Sequence, residues 1–394
     1  MLKNKLGEHD FEMTLTKFES ELTGFEYEDV SDENEEDKEI PFDAEKIRIE
    51  QRMLSLKYIK ELLDSKELEL SPGFQRNRVW KEPKRKSLLI ESLMLRIPIP
   101  AFYFYEDENS KYYVIDGLQR LSTIEDYLND KFKLSNLQYL QSGSGNKRFS
   151  ELEQKYKNRI YHTQLAVNII DARTPSQVKF DLFRRINTGG IALNAQEIRN
   201  SIAKTKVRKL LKEMAHHPSF LRVAGNINDD RMAAQELVLR FIAFYEAFDV
   251  EKCYVNYEKG DLELFLDHAF EVLNNSSDIE LMEYKRMFIT AMENSYALFG
   301  RYAFRKCTYD DFKNKKMLLN KSLFVTWSVL LAHVKLSFGE LALKKEKACS
   351  VLSTRLEFDE LYKQSLSIGT NAKRRVKFNF ETACEILKEV LKND

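Results

Sequence analysis

Residues 112–124 read YYVIDGLQRLSTI, and this stretch predicts a strand, a tight turn and a helix. The β-branched and aromatic residues 112–115 are typical of a strand, which stops at Asp116 and Gly117. From Leu118 onward, apolar residues recur with the spacing of one helix face. The stretch therefore predicts a helix that begins directly after a glycine turn.

Such a turn suits an anionic ligand. The N-terminus of a helix offers free backbone N–H groups and a partial positive charge, which favour phosphate. Gly117 has no Cβ, so the backbone can approach a ligand closely. Arg120 can add a bidentate contact to a phosphate, whereas Asp116 can hold a metal ion, a water molecule or a sugar hydroxyl. The alternative is a plain strand–helix connection, with Asp116 as the helix cap and Arg120 on the surface.

The composition indicates a large folded protein. The chain has 394 residues, of which 43% are hydrophobic, so we expect two or three domains or lobes. No apolar run reaches the about 18 residues that a membrane span needs, and the N-terminus lacks an apolar signal region. We therefore expect a cytoplasmic protein with no membrane partner. The four cysteines are far apart and form no CxxC pair, which argues against a zinc site and a disulfide scaffold.

The formal net charge of zero hides an acidic segment. Residues 26–45 contain eleven acidic residues and one basic residue, a local charge of −10, so the remainder carries about +10. We expect residues 1–45 to be a largely disordered acidic leader. The alternative is a charge mimic that competes with nucleic acid for a basic site.

The spacing of hydrophobic residues divides the rest of the chain, residues 46–394, into two regions. Residues 46–190 alternate strand and helix signals, which predicts an α+β domain, and residues 191–394 are helical nearly throughout. Within the first part we expect an edge strand at residues 46–53, a helix that begins near Pro83, and a helix over 151–158 capped by Ser150. In the second part, Asn194 with Glu197 predicts a capped helix.

Three polar clusters lie at the ends of predicted elements: residues 75–78, 116–120 and 184–190. Each combines a cation with a nearby glycine turn, so the three can converge on one anionic ligand. The alternative is three separate surface turns. Elsewhere, the six histidines lack metal-site spacing, and no GxxxxGK[ST] motif is present. A short basic patch, formed by Lys373, Arg374 and Arg375, can contact a phosphate backbone or simply face solvent.

Six motifs occur in the order and approximate spacing of one family: FQR at 74–76, Trp80, LIESL at 89–93, IPIP at 97–100, YVIDGLQRLSTI at 113–124 and FRRINTGG at 183–190. On these motifs the sequence resembles the GmrS-like N-terminal domain of GmrSD-type, modification-dependent restriction systems. That family is part of the ParB/sulfiredoxin-like superfamily. The resemblance covers roughly residues 50–200. It implies a small mixed-sheet lobe of ParB/sulfiredoxin type followed by an all-α lobe.

The resemblance also implies a function. The family's DGQQR motif, here Asp116 to Arg120, binds and hydrolyses a nucleoside triphosphate, GTP or ATP, with Mg²⁺. Relatives couple this activity to sensing modified DNA, usually in phage defence. By matched position, Asp116, Gln119 and Arg120 would be catalytic, and Asp116 would also hold the metal. The residues expected to bind nucleotide are Arg76, Gly117, Arg185, Asn187, Thr188, Gly189 and Gly190.

Two departures from the family pattern matter. Leu118 stands where the family usually has glutamine. We therefore still expect nucleotide binding, whereas hydrolysis of the nucleotide stays an open question. Many relatives carry an HNH nuclease domain, but this chain has no such histidine pattern. We therefore expect an NTPase that contacts DNA through Arg78 and the residues 373–375. The alternatives are a ParB-like DNA-binding module without turnover, and a nucleotide-regulated subunit that works with a separate nuclease.

Overall fold

The computed structural model of the chain describes residues 24–26, 48–70, 80, 82–186, 194–225, 227, 229, 231–306 and 318–392. The chain forms two compact units. The sheet unit spans residues 40–202, and the helical unit comprises residues 1–39 and 203–394. The division follows Ile202, beyond the predicted boundary at residue 190, because the helix over 195–201 packs against the helix before it.

The described elements of the sheet unit are, in chain order, β1 (Ile49–Ser55), α1 (Leu56–Asp64), β2 (Leu68–Glu69), α2 (Pro83–Met94), β3 (Phe102–Glu106), β4 (Tyr112–Asp116), α3 (Leu118–Leu128), α4 (Gln141–Ser144), α5 (Gln154–His162), β5 (Gln164–Ile170), α6 (Ser176–Ile186) and α7 (Ala195–Ser201). The strands form one mixed sheet in the order β1-β5-β3-β4-β2. The pairs β1–β5 and β3–β4 are antiparallel, and the pairs β3–β5 and β2–β4 are parallel. The predicted α+β class is therefore confirmed.

The core of this unit fixes the strand that leads into the glycine turn. Phe104 and Val114 are opposite each other on β3 and β4, and both are buried with Ile90 and Leu93 of α2. Burying large apolar side chains is the main favourable term in folding, at roughly 25 cal/mol per Å². The end of β4 is therefore held on a rigid layer.

Several local predictions are confirmed. The edge strand is β1, and Pro83 is the first residue of α2. Asn194 and Glu197 form a capping box at α7. The predicted helix at 151–158 is present, but its start and its Ser150 cap are wrong: a single 3₁₀ turn covers Phe149–Glu151, and α5 begins at Gln154. The cause is a tertiary contact, because the Ser150 N–H donates to the Asp130 carboxylate at 2.9 Å.

The described elements of the helical unit are α8 (Thr205–Ala215), α9 (Pro218–Ala224), α10 (Ala233–Ala247), β6 (Phe248–Asp249), β7 (Tyr254–Val255), α11 (Leu262–Asn275), α12 (Asp278–Phe299), α13 (Lys321–Ala332), α14 (Phe338–Leu343), α15 (Lys345–Phe358), α16 (Glu360–Ser365) and α17 (Lys373–Leu391). The prediction of an all-α region missed the ribbon of β6 and β7. The Asp249 carboxylate accepts the N–H groups of Glu251 and Lys252 at 3.1 Å and shapes the turn of this ribbon.

Three residues of the acidic N-terminal segment pack in the helical unit. Phe25 is buried and pairs with Leu319, and the Glu26 N–H donates to the Leu319 carbonyl at 2.9 Å. Lys306 forms an ion pair with Glu26 at 2.7 Å. The acidic run from residue 27 to 45 lies outside the described residues, so the expectation of disorder there stays a prediction. In the part of the chain that the structure covers, none of the helices is long and apolar enough to cross a membrane.

Glu91, in the LIESL motif, has a structural role. Its side chain lies on α2 and the residue is only 3% exposed. The carboxylate accepts the backbone N–H groups of Gln138, Tyr139 and Leu140 at 2.8, 2.7 and 2.8 Å. One buried carboxylate therefore holds the segment that leads into α4.

We expect Glu91→Gln to lower the free energy of unfolding by about 3 kcal/mol, because an amide cannot accept three N–H bonds and turns its own donors toward them. Urea denaturation measures this change. Glu153→Gln is the matched control, since Glu153 is exposed and, among the described residues, forms an ion pair only with the exposed Lys155. The control should stay within about 0.5 kcal/mol of the wild type. Equal losses in both variants would contradict the assigned role of Glu91.

Candidate functional site: the glycine turn of β4 and α3

The turn between β4 and α3 requires glycine for two reasons. Gly117 has φ +95°, in the left-handed region that residues with a Cβ rarely adopt. A Cβ built on Gly117 would also lie 2.3 Å from Cδ1 of Phe102. The predicted strand, turn and helix are therefore confirmed, with the glycine where the chain needs it.

The turn presents free backbone donors. The first bond inside α3 runs from the Leu121 N–H to the Gly117 carbonyl at 2.8 Å. The N–H groups of Leu118, Gln119 and Arg120 have no acceptor in the described part of the chain, and no side chain caps the helix. Three such donors together with the positive end of the helix dipole favour an anion.

Arg120 is held by the protein itself. Its guanidinium donates to the carboxylate of Asp116 at 2.9 Å and to the carbonyl of Ala101 at 3.1 Å, and also to the carbonyl of Pro100. The guanidinium carbon lies 4.5 Å from the centre of the Phe102 ring, and the side chain is only 14% exposed. Burial lowers the pKa of Arg120, against the opposing effect of Asp116. Arg120 therefore fastens the start of β3 to the start of α3, which differs from the surface position weighed as the alternative.

The other side chains of the turn have distinct environments. One carboxylate oxygen of Asp116 is bound by Arg120, and the side chain is 28% exposed. Gln119 is half-buried, and its amide makes no hydrogen bond to any described residue. Leu118 is half-buried and packs against the core of the sheet unit, and its apolar side chain cannot form a hydrogen bond to a water molecule. Gln119 and the second carboxylate oxygen of Asp116 are therefore the side-chain groups of this turn that have no hydrogen-bond partner among the described residues.

A metal ion fits this site only when a bound phosphate supplies further oxygen ligands. Among the described residues, no group of three or more His, Cys, Asp or Glu side chains is placed to hold a metal ion. Asp116 can contribute one oxygen, which suits Mg²⁺, because this ion often takes one or two carboxylates and completes its shell with phosphate oxygens and water. Asp116 thus fits as a partial ligand.

Two of the three predicted polar clusters extend beyond the described residues. Arg76 and Arg78 lie in the segment 71–79, and Asn187 to Gly190 lie in the segment 187–193, neither of which the structure describes. Arg185 is exposed on the last turn of α6. The convergence of these clusters on the turn of Asp116 to Arg120 therefore stays a prediction.

The basic patch at the start of α17 is partly neutralised. Lys373 and Lys377 both form ion pairs with Glu258, the second at 2.6 Å. Hydrogen bonds from these two lysines lower the pKa of Glu258 to about 2. Arg374 is exposed and Arg375 is half-buried, and neither has an ion-pair partner among the described residues. Of the three residues of this patch that were predicted to contact DNA, Arg374 and Arg375 are therefore the two whose charge is available for a phosphate.

Two adjoining cavities in the helical unit, of about 320 and 260 Å³, share His268 and Val272 in their walls. None of their lining residues belongs to the predicted site. A bound phosphate at the glycine turn needs backbone donors on an open surface rather than an enclosed cavity, so cavity volume does not locate that site.

The motifs did not reveal the acceptors of Arg120. These acceptors lie about twenty residues before it in the chain: the carbonyl of Pro100 ends the IPIP motif, and the Ala101 carbonyl and the Phe102 ring follow directly. One signal was present: alternating prolines force an extended segment and remove N–H donors, which leaves carbonyl groups in need of partners.

Residues 59–204 match the family model described as GmrSD restriction endonuclease, N-terminal domain. No sequence among the curated proteins matches the chain. The match confirms the resemblance drawn from the six motifs, and it ends close to the boundary of the sheet unit at Ile202. Residues 59–204 are therefore similar to the N-terminal domain of GmrSD restriction endonucleases, and the helical unit lies almost entirely outside the match.

Proposed function

We propose that this GmrSD-type N-terminal domain binds a nucleoside triphosphate at the turn of Asp116 to Arg120 and hydrolyses it, in a restriction system that senses DNA. The observation that carries the proposal is the turn itself. Gly117 opens α3 with three unbonded N–H groups, at the position of the family's DGQQR motif. Anion binding by such a turn needs no further side chain.

The geometry supports a division of roles. The N–H groups of residues 118–120 would hold a phosphate, and Gln119 would orient the attacking water. Arg120 would act as a positioning residue, because its guanidinium is already bound to Asp116, Pro100 and Ala101. Arg76, Arg185 and the residues 187–190 remain the proposed further contacts of the nucleotide. The nucleotide is GTP or ATP.

Mg²⁺ is the metal that we propose for this site. When bound, it would neutralise charge on the phosphates. The oxygen of Asp116 that Arg120 does not bind would be its protein ligand. The ion pair with Arg120 fixes the direction of the Asp116 carboxylate, and the side chain is 28% exposed.

DNA would bind through cations outside the turn. Arg374 and Arg375 are suited to phosphate contacts because Glu258 neutralises the neighbouring Lys373 and leaves both arginines unbound in the described structure. Arg78 is the proposed contact in the sheet unit. A separate nuclease subunit is the alternative partner that would carry out the cleavage.

Phosphate release tests the proposal. We expect the full-length protein to release phosphate from ATP or GTP with Mg²⁺, and DNA to change the rate. Gln119→Ala should lower the rate by about 100-fold, because it removes the group that orients water, with little change in nucleotide affinity. Gln154→Ala, on the exposed start of α5, is the matched control and should keep the wild-type rate.

The outcomes separate the alternatives. Equal background release by the wild type and Gln119→Ala would refute hydrolysis. Tight nucleotide binding without release would identify a nucleotide-regulated subunit. Salt-dependent DNA binding without any nucleotide effect would identify a DNA-binding module, and loss of Arg374 and Arg375 together would then reduce the salt slope by about two.

A further inference from the structure

Two cysteines that are distant in the sequence lie on elements of the helical unit that pack against each other. Cys253 lies in the turn of the β6–β7 ribbon, next to Tyr254, and Cys384 lies on α17. The strand of Tyr254 and Val255, directly after Cys253, packs against α17, and Cys253 is one of the groups that raise the pKa of the Cys384 thiol. The absence of a CxxC pair therefore did not exclude a cysteine pair in space.

The contact is supported by the packing of the ribbon against α17. Lys377 donates to Glu258 at 2.6 Å and to the Tyr254 hydroxyl at 3.2 Å, on the strand that follows Cys253. The rings of Phe248 and Phe380 stack at 5.3 Å. Phe380 precedes Cys384 by one helical turn and shares its face of α17. These contacts hold the two cysteines in the same region without any covalent bond.

The two thiols differ in access. Cys253 is partly exposed, whereas Cys384 is 3% exposed. Burial raises the pKa of Cys384 well above its usual range, so its thiolate is scarce. Cys253 also has φ +50°, in the left-handed region that is uncommon for residues other than glycine. An oxidant from solvent therefore reaches Cys253 first.

We propose that Cys253 and Cys384 form an oxidation site that a peroxide converts into a disulfide between the ribbon and α17. Peroxide transfers one oxygen atom to the Cys253 sulfur, which gives a sulfenic acid and water. The Cys384 sulfur then attacks the Cys253 sulfur, the S–O bond breaks, and the hydroxide leaves as water with the Cys384 proton. Two thiols lose two electrons in total, and one peroxide is reduced to two waters.

The bond would fix the ribbon on the helix. It would close a loop that encloses residues 254–383, and a long closed loop restricts the unfolded chain strongly. We expect oxidation to raise the melting temperature of the helical unit by about 5 °C, and dithiothreitol to reverse the rise.

The test uses the full-length chain. After treatment with hydrogen peroxide, alkylation and digestion, mass spectrometry should find one cross-linked peptide that joins Cys253 to Cys384. The number of free thiols should fall from four to two per chain. Cys253→Ser should keep three thiols, give no cross-link and show no rise in melting temperature. Because Cys253 is partly exposed, this variant should fold normally.

Cys349→Ser is the matched control. Cys349 is partly buried, and burial raises the pKa of its thiol, but no cysteine contacts it among the described residues. This variant should form the same cross-link as the wild type. A cross-link that uses Cys307 or Cys349 instead, or oxidation of Cys253 to a sulfinic acid while Cys384 stays reduced, would overturn the proposal.

Discussion

Gly117→Ala should lower the free energy of unfolding of the sheet unit by about 3 kcal/mol, because it adds backbone strain and a steric clash together. The left-handed φ of +95° disfavours any Cβ, and the added carbon would lie 2.3 Å from the ring of Phe102. That ring is 1% exposed and lies under Arg120, so it has little room to move. We also expect nucleotide binding to be lost, since the free N–H groups depend on the shape of this turn.

In the full-length chain, the unfolding of the sheet unit can be measured separately by fluorescence. The chain has two tryptophans, and a Trp327→Phe background leaves Trp80 as the fluorescent reporter of this unit. Gly143→Ala is the matched control, because Gly143 lies in α4 with no atom within 4 Å of an added Cβ. The control should stay within about 0.5 kcal/mol of the wild type. A similar small effect at Gly117 would show that the turn tolerates a side chain, and would remove the structural reason for glycine there.

The sequence predicted this turn well because all its signals are local. A strand that stops at a glycine, a proline at the first residue of α2 and the capping box of Asn194 and Glu197 are each determined by a few adjacent residues. Local backbone preferences and hydrophobic period are physically sufficient for such features. The α+β class followed from the same patterns.

The tertiary roles of the same motifs could not be predicted this way. Arg120 finds its carbonyl acceptors 19 and 20 residues earlier, and Glu91 finds its donors 47 to 49 residues later. Their partners are backbone atoms, and backbone atoms leave no residue-specific mark in a sequence. An arginine beside a glycine turn therefore resembled a phosphate ligand, although its guanidinium is occupied by the protein.

The replacement of Arg120 by alanine should destabilise the sheet unit by about 3 kcal/mol, because two carbonyls and the Asp116 carboxylate lose a common donor in a partly buried place. Arg120→Lys should lose about 2 kcal/mol, since an ammonium group cannot reproduce the planar fork that reaches Asp116, Pro100 and Ala101 at once. Urea denaturation with Trp80 fluorescence measures both. Arg148→Ala, which removes a surface arginine bound to one carbonyl, should lose no more than about 1 kcal/mol.

The stability of these variants determines how their phosphate release should be interpreted. If Arg120 contacts the phosphate directly, the Arg120→Ala variant should lose activity without losing stability. If Arg120 is a positioning residue, the variant should lose both together. Asp116→Asn separates the two further, because it breaks the ion pair at 2.9 Å and keeps the shape of the side chain. If Arg120 acts through the turn, Asp116→Asn should lose part of the same stability, and Arg120→Ala should lower it little further in that background. Independent, additive losses would instead show that Arg120 and Asp116 do not stabilise the turn as a pair, and would favour direct contact of Arg120 with the nucleotide.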